Sequence, residues 1–266
     1  MQITYATEPG DDHPNEDFVL AGPEFVIVLD GATAPPGIPS GCIHDVRWLV
    51  RHLGGRLASQ LTLDDTAGRI LAEHLADAIR WVNAQHAHTC DLDNPASPSS
   101  TVALLRSRSD EIDALVLSDS PILLDLPGGV RRIADERPGR LPSYKPEDVR
   151  DQRNQAGGFW VASTKLEAAE QAVQLTVPAE QLRRAAVLTD GACRLVERFH
   201  LLDWIDLIKM LDTEGPAELI RRVRAAENTV DPAPGSRGKP HDDATAVLVQ
   251  FRVAQRQRGD EGGAFT

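Results

Sequence analysis

Short apolar runs separated by turn residues dominate the first thirty positions. Ile3–Ala6, Phe18–Ala21 and Phe25–Leu29 have the length and content of strands, and Gly22-Pro23-Glu24 between the last two predicts a hairpin. The period then changes: Ile43, Val46, Val50, Leu53, Leu57 and Leu61 recur at spacings of three and four, predicting an amphipathic helix. Gly54-Gly55 inside it predicts a kink or a close packing contact. A second helix is expected from about Asp64 to His88, with Leu71, Leu75, Ala78 and Val82 on one face and "TLDD" capping its start. Beyond the Pro- and Ser-rich "DNPASPSS", strands are expected at Thr101–Arg106, Ile112–Leu117, Ile122–Leu126 and Val130–Ile133, reading as a meander.

Residues from about Asp135 to Gly158 are polar and carry Pro138, Pro142 and Pro146, the profile of a long excursion from the core containing one short helix. "GGFWVAST" then predicts a strand, "LEAAEQA" a short helix and Ala185–Leu188 a strand ending at Asp190. Helices near Leu201–Leu211 and Pro216–Ala226 precede a final strand, Ala244–Arg252. The order of elements predicts an α+β fold, a four-layer α/β/β/α sandwich in which antiparallel helix pairs flank two antiparallel sheets. Residues 1–253 are expected to form one domain, and the polar residues 254–266 a disordered tail.

Composition narrows the functions. With 41% hydrophobic and 26% charged residues in 266, the chain has material for a sizeable core. Forty acidic side chains against 28 basic ones give a net charge of -12, which argues against nucleic-acid binding and makes cations the natural partners. Three cysteines, Cys42, Cys90 and Cys193, are odd in number and far apart in sequence, suiting reduced thiols. The N-terminus lacks the pattern of a signal peptide and no apolar stretch approaches membrane-spanning length, so a cytoplasmic location, no membrane partner and a monomer are expected.

Candidate chemistry lies at the strand ends. If the hairpin turns about Pro23, opposed positions sum to 46 and Glu16 faces Asp30, at about 4.5–5.5 Å between Cβ atoms. Two carboxylates so close repel unless a cation lies between them. The arrangement recurs: "LVLSDS" puts Asp119 after a strand, "AVLTDG" puts Asp190 after another, and "HDDATAVLV" puts Asp242 and Asp243 before the last. Any one of these is ordinary turn chemistry. The recurrence points instead to a converging all-oxygen cluster, which selects Mg²⁺ or Mn²⁺ over Zn²⁺. Two such ions about 3.5–4 Å apart can activate a bridging water and stabilise a phosphoryl leaving oxygen.

With "NEDF" (15–18), "VLDGAT" (28–33), "SSTVALL" (99–105), "LVLSDS" (115–120), "GGFWVAS" (157–163), "VLTDGA" (187–192) and "HDDATAVLV" (241–249) in order, the chain resembles the metal-dependent type 2C protein serine/threonine phosphatases of bacteria. The resemblance implies a β-sandwich with two Mn²⁺ or Mg²⁺ ions in a cleft at one end, with a position for a third. It implies that Asp30 bridges the two ions, that the Gly31 carbonyl and Glu16 serve one of them, and that Asp190 and Asp242 complete the other. Asp17 would bind directly or orient metal-bound water, Asp119 would hold the third ion with Asp190, and Asp243, where Asn is usual, would act behind the ligands. The long segment before Gly157, about 135–158, corresponds to a mobile flap over the substrate. The implied reaction is attack of a metal-activated water on phosphoserine or phosphothreonine of a protein substrate, through Asp30, Asp190 and Asp242, with no covalent intermediate.

Departures from the family pattern concern phosphate binding. The Arg of the pattern Arg-x-x-Asn-Glu-Asp is here Asp12, leaving the adjacent His13 as the phosphate-contact candidate. Ala32 replaces a His of eukaryotic members, Ser118 the usual Gly, and Pro121 a common Arg. Asp12 motivates a second reading, a degenerate binding module with little turnover. "HAHTC" puts His86, His88 and Cys90 in alternation, but the spacing is not that of a structural zinc site and no second cluster follows, so a frayed helix end is expected. Trp48, Trp81 and Trp204 fall in helical patterns and are expected in or near the core.

Overall fold

The computed structural model describes residues 1–34, 37–63, 68–143, 145–229 and 239–251. The predicted polar tail and much of "TLDD" lie outside the described residues. Strands β1 (Gln2–Glu8), β2 (Phe18–Ala21), β3 (Phe25–Leu29) and β4 (Gly31–Ala32) precede helices α1 (Val46–Thr62) and α2 (Leu71–His86). Then come β5 (Ser99–Ser100), β6 (Val102–Ser107), β7 (Glu111–Leu117), β8 (Ile122–Leu126), β9 (Gly129–Ile133) and α3 (Pro146–Gln152). The chain continues through β10 (Val173–Pro178), β11 (Arg184–Leu188), α4 (Asp190–Glu197), α5 (Trp204–Glu214), α6 (Pro216–Thr229) and β12 (Ala244–Gln250).

Two five-stranded antiparallel sheets result, ordered β1-β12-β11-β8-β9 and β10-β7-β6-β3-β2, with β4-β5 as a separate small ladder. Alternation of side chains within each strand sorts the apolar residues into three buried layers. Val26, Val28, Leu105 and Val116 of one sheet meet Ile122, Leu124, Val187 and Val247 of the other. Ile27, Leu29, Leu104 and Leu115 turn outward against Leu53, Leu57, Leu75 and Ile79 of α1 and α2. Leu123, Leu188, Ala246 and Leu248 do the same against α4, α5 and α6. This is the expected four-layer arrangement, with three helices on the second face.

Local differences from the expectations have local causes. Ile43 is outside α1 and 72% exposed, because Asp45 caps the helix by accepting from the Trp48 amide at 2.8 Å. Helix α2 begins only at Leu71, where Glu73 accepts from the Ile70 amide. Gly54 proves to be a packing contact, with the Phe18 ring lying where a Cβ would stand. The four central strands are not one meander: β6-β7 lies in one sheet and β8-β9 in the other, and residues 118–121 carry the chain between them. "GGFWVAST" makes only isolated bridges, Arg153 to Phe159 and Ser100 to Ala162, because Asn154 ties it back by accepting from the Val161 amide. Edge strand β10 and the eight-residue α4 escape the sequence pattern: Val173 is exposed, and α4 spans barely two turns.

Trp48, Trp81 and Trp204 sit half-buried against the helix-facing layers, as expected of near-core residues. Cys42 and Cys90, far apart in sequence, come together at 3.0 Å with His86 beside them. The reading of "HAHTC" as a frayed helix end lacked this third residue, which arrives from a loop 44 positions before His86. Among the described residues no helix is long and apolar enough to cross a membrane.

Candidate active site

The β2-β3 hairpin fixes the first two acids. The Gly22 amide donates to the Phe25 carbonyl at 2.9 Å, closing a two-residue loop of Pro23 and Glu24 in which Pro takes the position its fixed φ suits. Phe18 therefore pairs with Leu29 and Ala21 with Val26, so opposed positions sum to 47 rather than 46. The one-residue slip matters, because it reverses which side chains share a face. Continued beyond the ladder, it puts Asp17 opposite Asp30 and Glu16 opposite Gly31, correcting the expected Glu16–Asp30 pair. Gly31 has no room for a side chain there: a Cβ would stand 2.7 Å from the Glu16 carbonyl oxygen.

The remaining acids arrive from the second sheet and from the inter-sheet crossing. Asp190 opens α4 directly after β11, and Asp242 and Asp243 precede β12, the strand paired with β11. Gly191 lets these two ends approach, since the Asp243 carbonyl occupies the space of its missing Cβ. Asp119 sits on the crossing. Ser118 before it has φ of 71°, a left-handed conformation that favours Gly, and is held by donating its amide to Asp135 at 3.2 Å and its hydroxyl to Asp119 at 3.1 Å.

These carboxylates are short of partners of opposite charge. Asp17 accepts from the Thr189 and Thr245 hydroxyls at 3.0 and 2.7 Å through Oδ2, while its Oδ1 is buried with no hydrogen-bond partner among the described residues. Burial raises the Asp17 pKa to about 7 against the pull of both threonines, with Asp243 and Asp242 adding to the rise. Burial and then the charges of Asp17, Asp190, Asp119 and Asp242 push Asp30 well above the usual carboxylate range. Burial, then Asp242 and Asp119, carry Asp190 to about 8. Asp119 is solvent-reachable, yet the protein crowding its carboxylate, and then Asp135 and Asp242, raise it too.

Among the described residues, Asp242 is the acid of this cluster that makes ion pairs, with Arg194 at 2.9 Å and Lys239 at 3.6 Å. Arg194 is itself fixed at 2.6 Å by Glu227 of α6, whose side chain is fully buried. Asp243 points the other way, accepting from the Gly10 and Glu16 amides at 2.9 and 2.6 Å, and so ties the N-terminal loop to β12. Glu16 accepts from the Thr33 hydroxyl at 2.7 Å.

A cleft of about 350 Å³ opens over this cluster, with Asp30, Gly31, Ala32, Asp119, Asp190, Asp242 and Asp243 on its walls. Glu16 and Asp17 are not on its surface; Glu16 meets two of its lining residues, Thr33 by a hydrogen bond and Gly31 by close backbone approach, and Asp17 is bonded to Thr189, the residue before the cleft-lining Asp190. His13 and Asp12 are exposed and stand outside it, so the structure does not bring the phosphate-contact candidate to the acids. The opposite wall comes from the segment expected as a flap: Pro138, Pro146, Val149, Arg150 and Arg153.

Arg153 was not legible as a site residue, lying inside a polar, proline-rich stretch. It donates to the Ser99 hydroxyl at 2.7 Å and to the Pro95 carbonyl, and has no carboxylate partner among the described residues. Burial lowers its pKa to about 10. Thr189 and Thr245 were also missed; one precedes Asp190 and the other lies two residues after Asp243, but only the two-sheet packing aims their hydroxyls at Asp17.

A model of the Protein phosphatase 2C family matches residues 8–224. No curated protein matches the chain. Among solved structures, the Mycobacterium tuberculosis serine/threonine phosphatase PstP/Ppp superposes with a TM-score of 0.61 at 18% identity, over 94% of this chain and 98% of that one. The serine/threonine phosphatase Stp1 from Staphylococcus aureus gives 0.61 at 13% identity, over 94% and 95%. The catalytic domain of the serine/threonine protein phosphatase PstP in complex with two manganese ions gives 0.57 at 16% identity, over 93% and 96%.

Proposed function

Because the chain belongs to the protein phosphatase 2C family, a family of metal-dependent serine/threonine phosphatases, we propose that its acidic cleft hydrolyses phosphoserine and phosphothreonine on protein substrates with bound Mn²⁺ or Mg²⁺. One observation carries the reading: burial and neighbouring carboxylates, Asp242 among them, raise the pKa of Asp17, Asp30, Asp119 and Asp190 in or beside one cleft, and a buried oxygen of Asp17 has no partner among the described residues. Carboxylates so crowded keep protons until a counter-charge arrives, so the cluster, with its orphaned acceptor, is fitted to cations, and its all-oxygen donors suit hard divalent ions.

In this reading Asp30, the Gly31 carbonyl, Glu16, Asp17, Asp190 and Asp242 would hold two ions, and Asp119 would offer a ligand to a third. Divalent ions bound there supply an activated water and neutralise charge on the phosphoryl oxygens. The chain's own residues supply the alignment. Thr189 and Thr245 lock one oxygen of Asp17 and leave the other unpartnered among the described residues, where it would be available to a cation, Arg194 orients Asp242, and Asp243 fixes the backbone that carries Glu16.

The phosphate needs a donor that Asp12 and His13 do not supply. Arg153 is the candidate, a cation on the cleft wall with no carboxylate partner among the described residues. Arg153→Ala should raise KM for a phosphopeptide about tenfold or more, the worth of a charge-assisted hydrogen bond of about 1.5–3 kcal/mol. Mn²⁺ affinity measured by calorimetry should not change. Equal loss of metal affinity and turnover would remove Arg153 from this role.

The main test is turnover on phosphoserine and phosphothreonine peptides and on an aryl phosphate during Mn²⁺ titration. Hydrolysis that follows metal occupancy is expected. Tight metal binding with no turnover on any of them would replace the enzyme with a binding module.

A further inference from the structure

We propose that Cys42, His86 and Cys90 form a second metal centre, a zinc site that clips the loop entering α1 to the C-terminal end of α2. It stands apart from the carboxylates and uses the opposite ligand chemistry.

Three ligand atoms converge. The two sulfurs are 3.0 Å apart and His86 Nδ1 is 3.6 Å from Cys42 Sγ. Zinc bonds of about 2.3 Å to sulfur and 2.0–2.1 Å to nitrogen in tetrahedral geometry require a sulfur–nitrogen separation of about 3.6 Å, the distance already present. The two sulfurs would open to about 3.8 Å. A disulfide would instead close them to about 2.05 Å, and His86 would have no part in it.

His86 decides between these. It is the last residue of α2 and only 4% exposed, its Nε2 has no hydrogen-bond partner among the described residues, and its Nδ1 faces the Cys42 sulfur. A buried imidazole whose polar contact is a thiol is poorly satisfied without an ion and well used with one. The Cys90 sulfur also accepts from the Ile43 amide at 3.4 Å, a contact that favours thiolate. Binding would release the two thiol protons and leave one corner of the tetrahedron to water.

The clip has a mechanical setting. The Asp91 amide donates to the Gly41 carbonyl at 2.8 Å and the Asn94 side chain to the Pro39 carbonyl at 3.3 Å, so two loops cross at the site. Ile38 on one loop and Ala96 on the other line the acidic cleft. Zinc would therefore fix part of the cleft rim without touching the reaction.

Cobalt reports on such a site through thiolate charge-transfer and tetrahedral ligand-field absorption. Reduced, metal-free protein should be titrated with Co²⁺ in excess Mg²⁺, which occupies the carboxylates and leaves thiols free. One equivalent of Co²⁺ should give both bands, Zn²⁺ should bleach them, Asp30→Asn should keep them, and Cys42→Ser and Cys90→Ser should abolish them. Alkylation by iodoacetamide provides a readout without variants: Zn²⁺ should slow modification of Cys42 and Cys90 at least tenfold. Absent bands, bands that survive both serine substitutions, or alkylation rates indifferent to Zn²⁺ would overturn the site. Retention of the bands in Asp30→Asn separates this outcome from that of the phosphatase reading.

Discussion

Asp30→Asn should lower metal-dependent phosphopeptide hydrolysis by about 10³-fold or more while raising the unfolding temperature of the cation-free protein. The two effects share one cause. Burial, and then the charges of Asp17, Asp190, Asp119 and Asp242, act on Asp30, so its ionised form is disfavoured in the fold and is held by bound cations. Asn keeps the shape and removes the charge, which relieves repulsion in the empty site and deletes the ligand both ions are proposed to share. Losing several kcal/mol of charge stabilisation corresponds to about three decades in rate. Scanning calorimetry in EDTA and in Mn²⁺ checks the stability half: the wild type should gain strongly from Mn²⁺ and the variant little. A variant with unchanged turnover would end the proposed mechanism. One that is destabilised in EDTA would mean that Asp30 is held by protein contacts instead.

In EDTA the wild-type protein should also lose stability as pH rises from about 6.5 to about 8, a direction opposite to that of most salt-bridged carboxylates. Asp17 and Asp190 have folded pKa values of about 7 and about 8, above the value of about 3.9 for an unfolded chain. The folded state therefore holds protons that the unfolded state has released, and stability falls as pH climbs through the folded values. Below about pH 6.5 His86 works the other way: burial lowers its pKa, so protonating it costs the fold as pH drops. Above that point its influence is spent and the acids dominate. Saturating Mn²⁺ should flatten or reverse the slope, because cations bind the deprotonated cluster. A melting temperature in EDTA that rises across this window would contradict the proposed cluster energetics.

Much of the fold was legible because its strands are short and strongly apolar. Phe18–Ala21, Phe25–Leu29 and Ile122–Leu126 were read to the residue, and the acids were found because each marks the end of such a run. What the linear pattern lacks is the third dimension of each contact. Asp17 rather than Glu16 faces Asp30 because one amide–carbonyl bond, Gly22 to Phe25, chooses a two-residue loop over a three-residue one. The passage from one sheet to the other at Ser118 is invisible, since a hairpin loop and a crossing share the same polar residues. Arg153, Thr189 and Cys42 gain their meaning only from neighbours distant in sequence.

The turn at Pro23-Glu24 has a consequence for how the protein tolerates insertions and deletions. Surface loops ordinarily accept a changed length at small cost. Here a length change that re-registers β2 against β3 by one residue would leave the turn solvated and the strands paired, yet would move Asp17 from its place opposite Asp30 and put Glu16 or Phe18 there, according to direction. The hairpin tip, at the far end of the strands from the carboxylates, is therefore as intolerant of a length change as the site is of a lost ligand. Sequence variation there should be confined to substitutions.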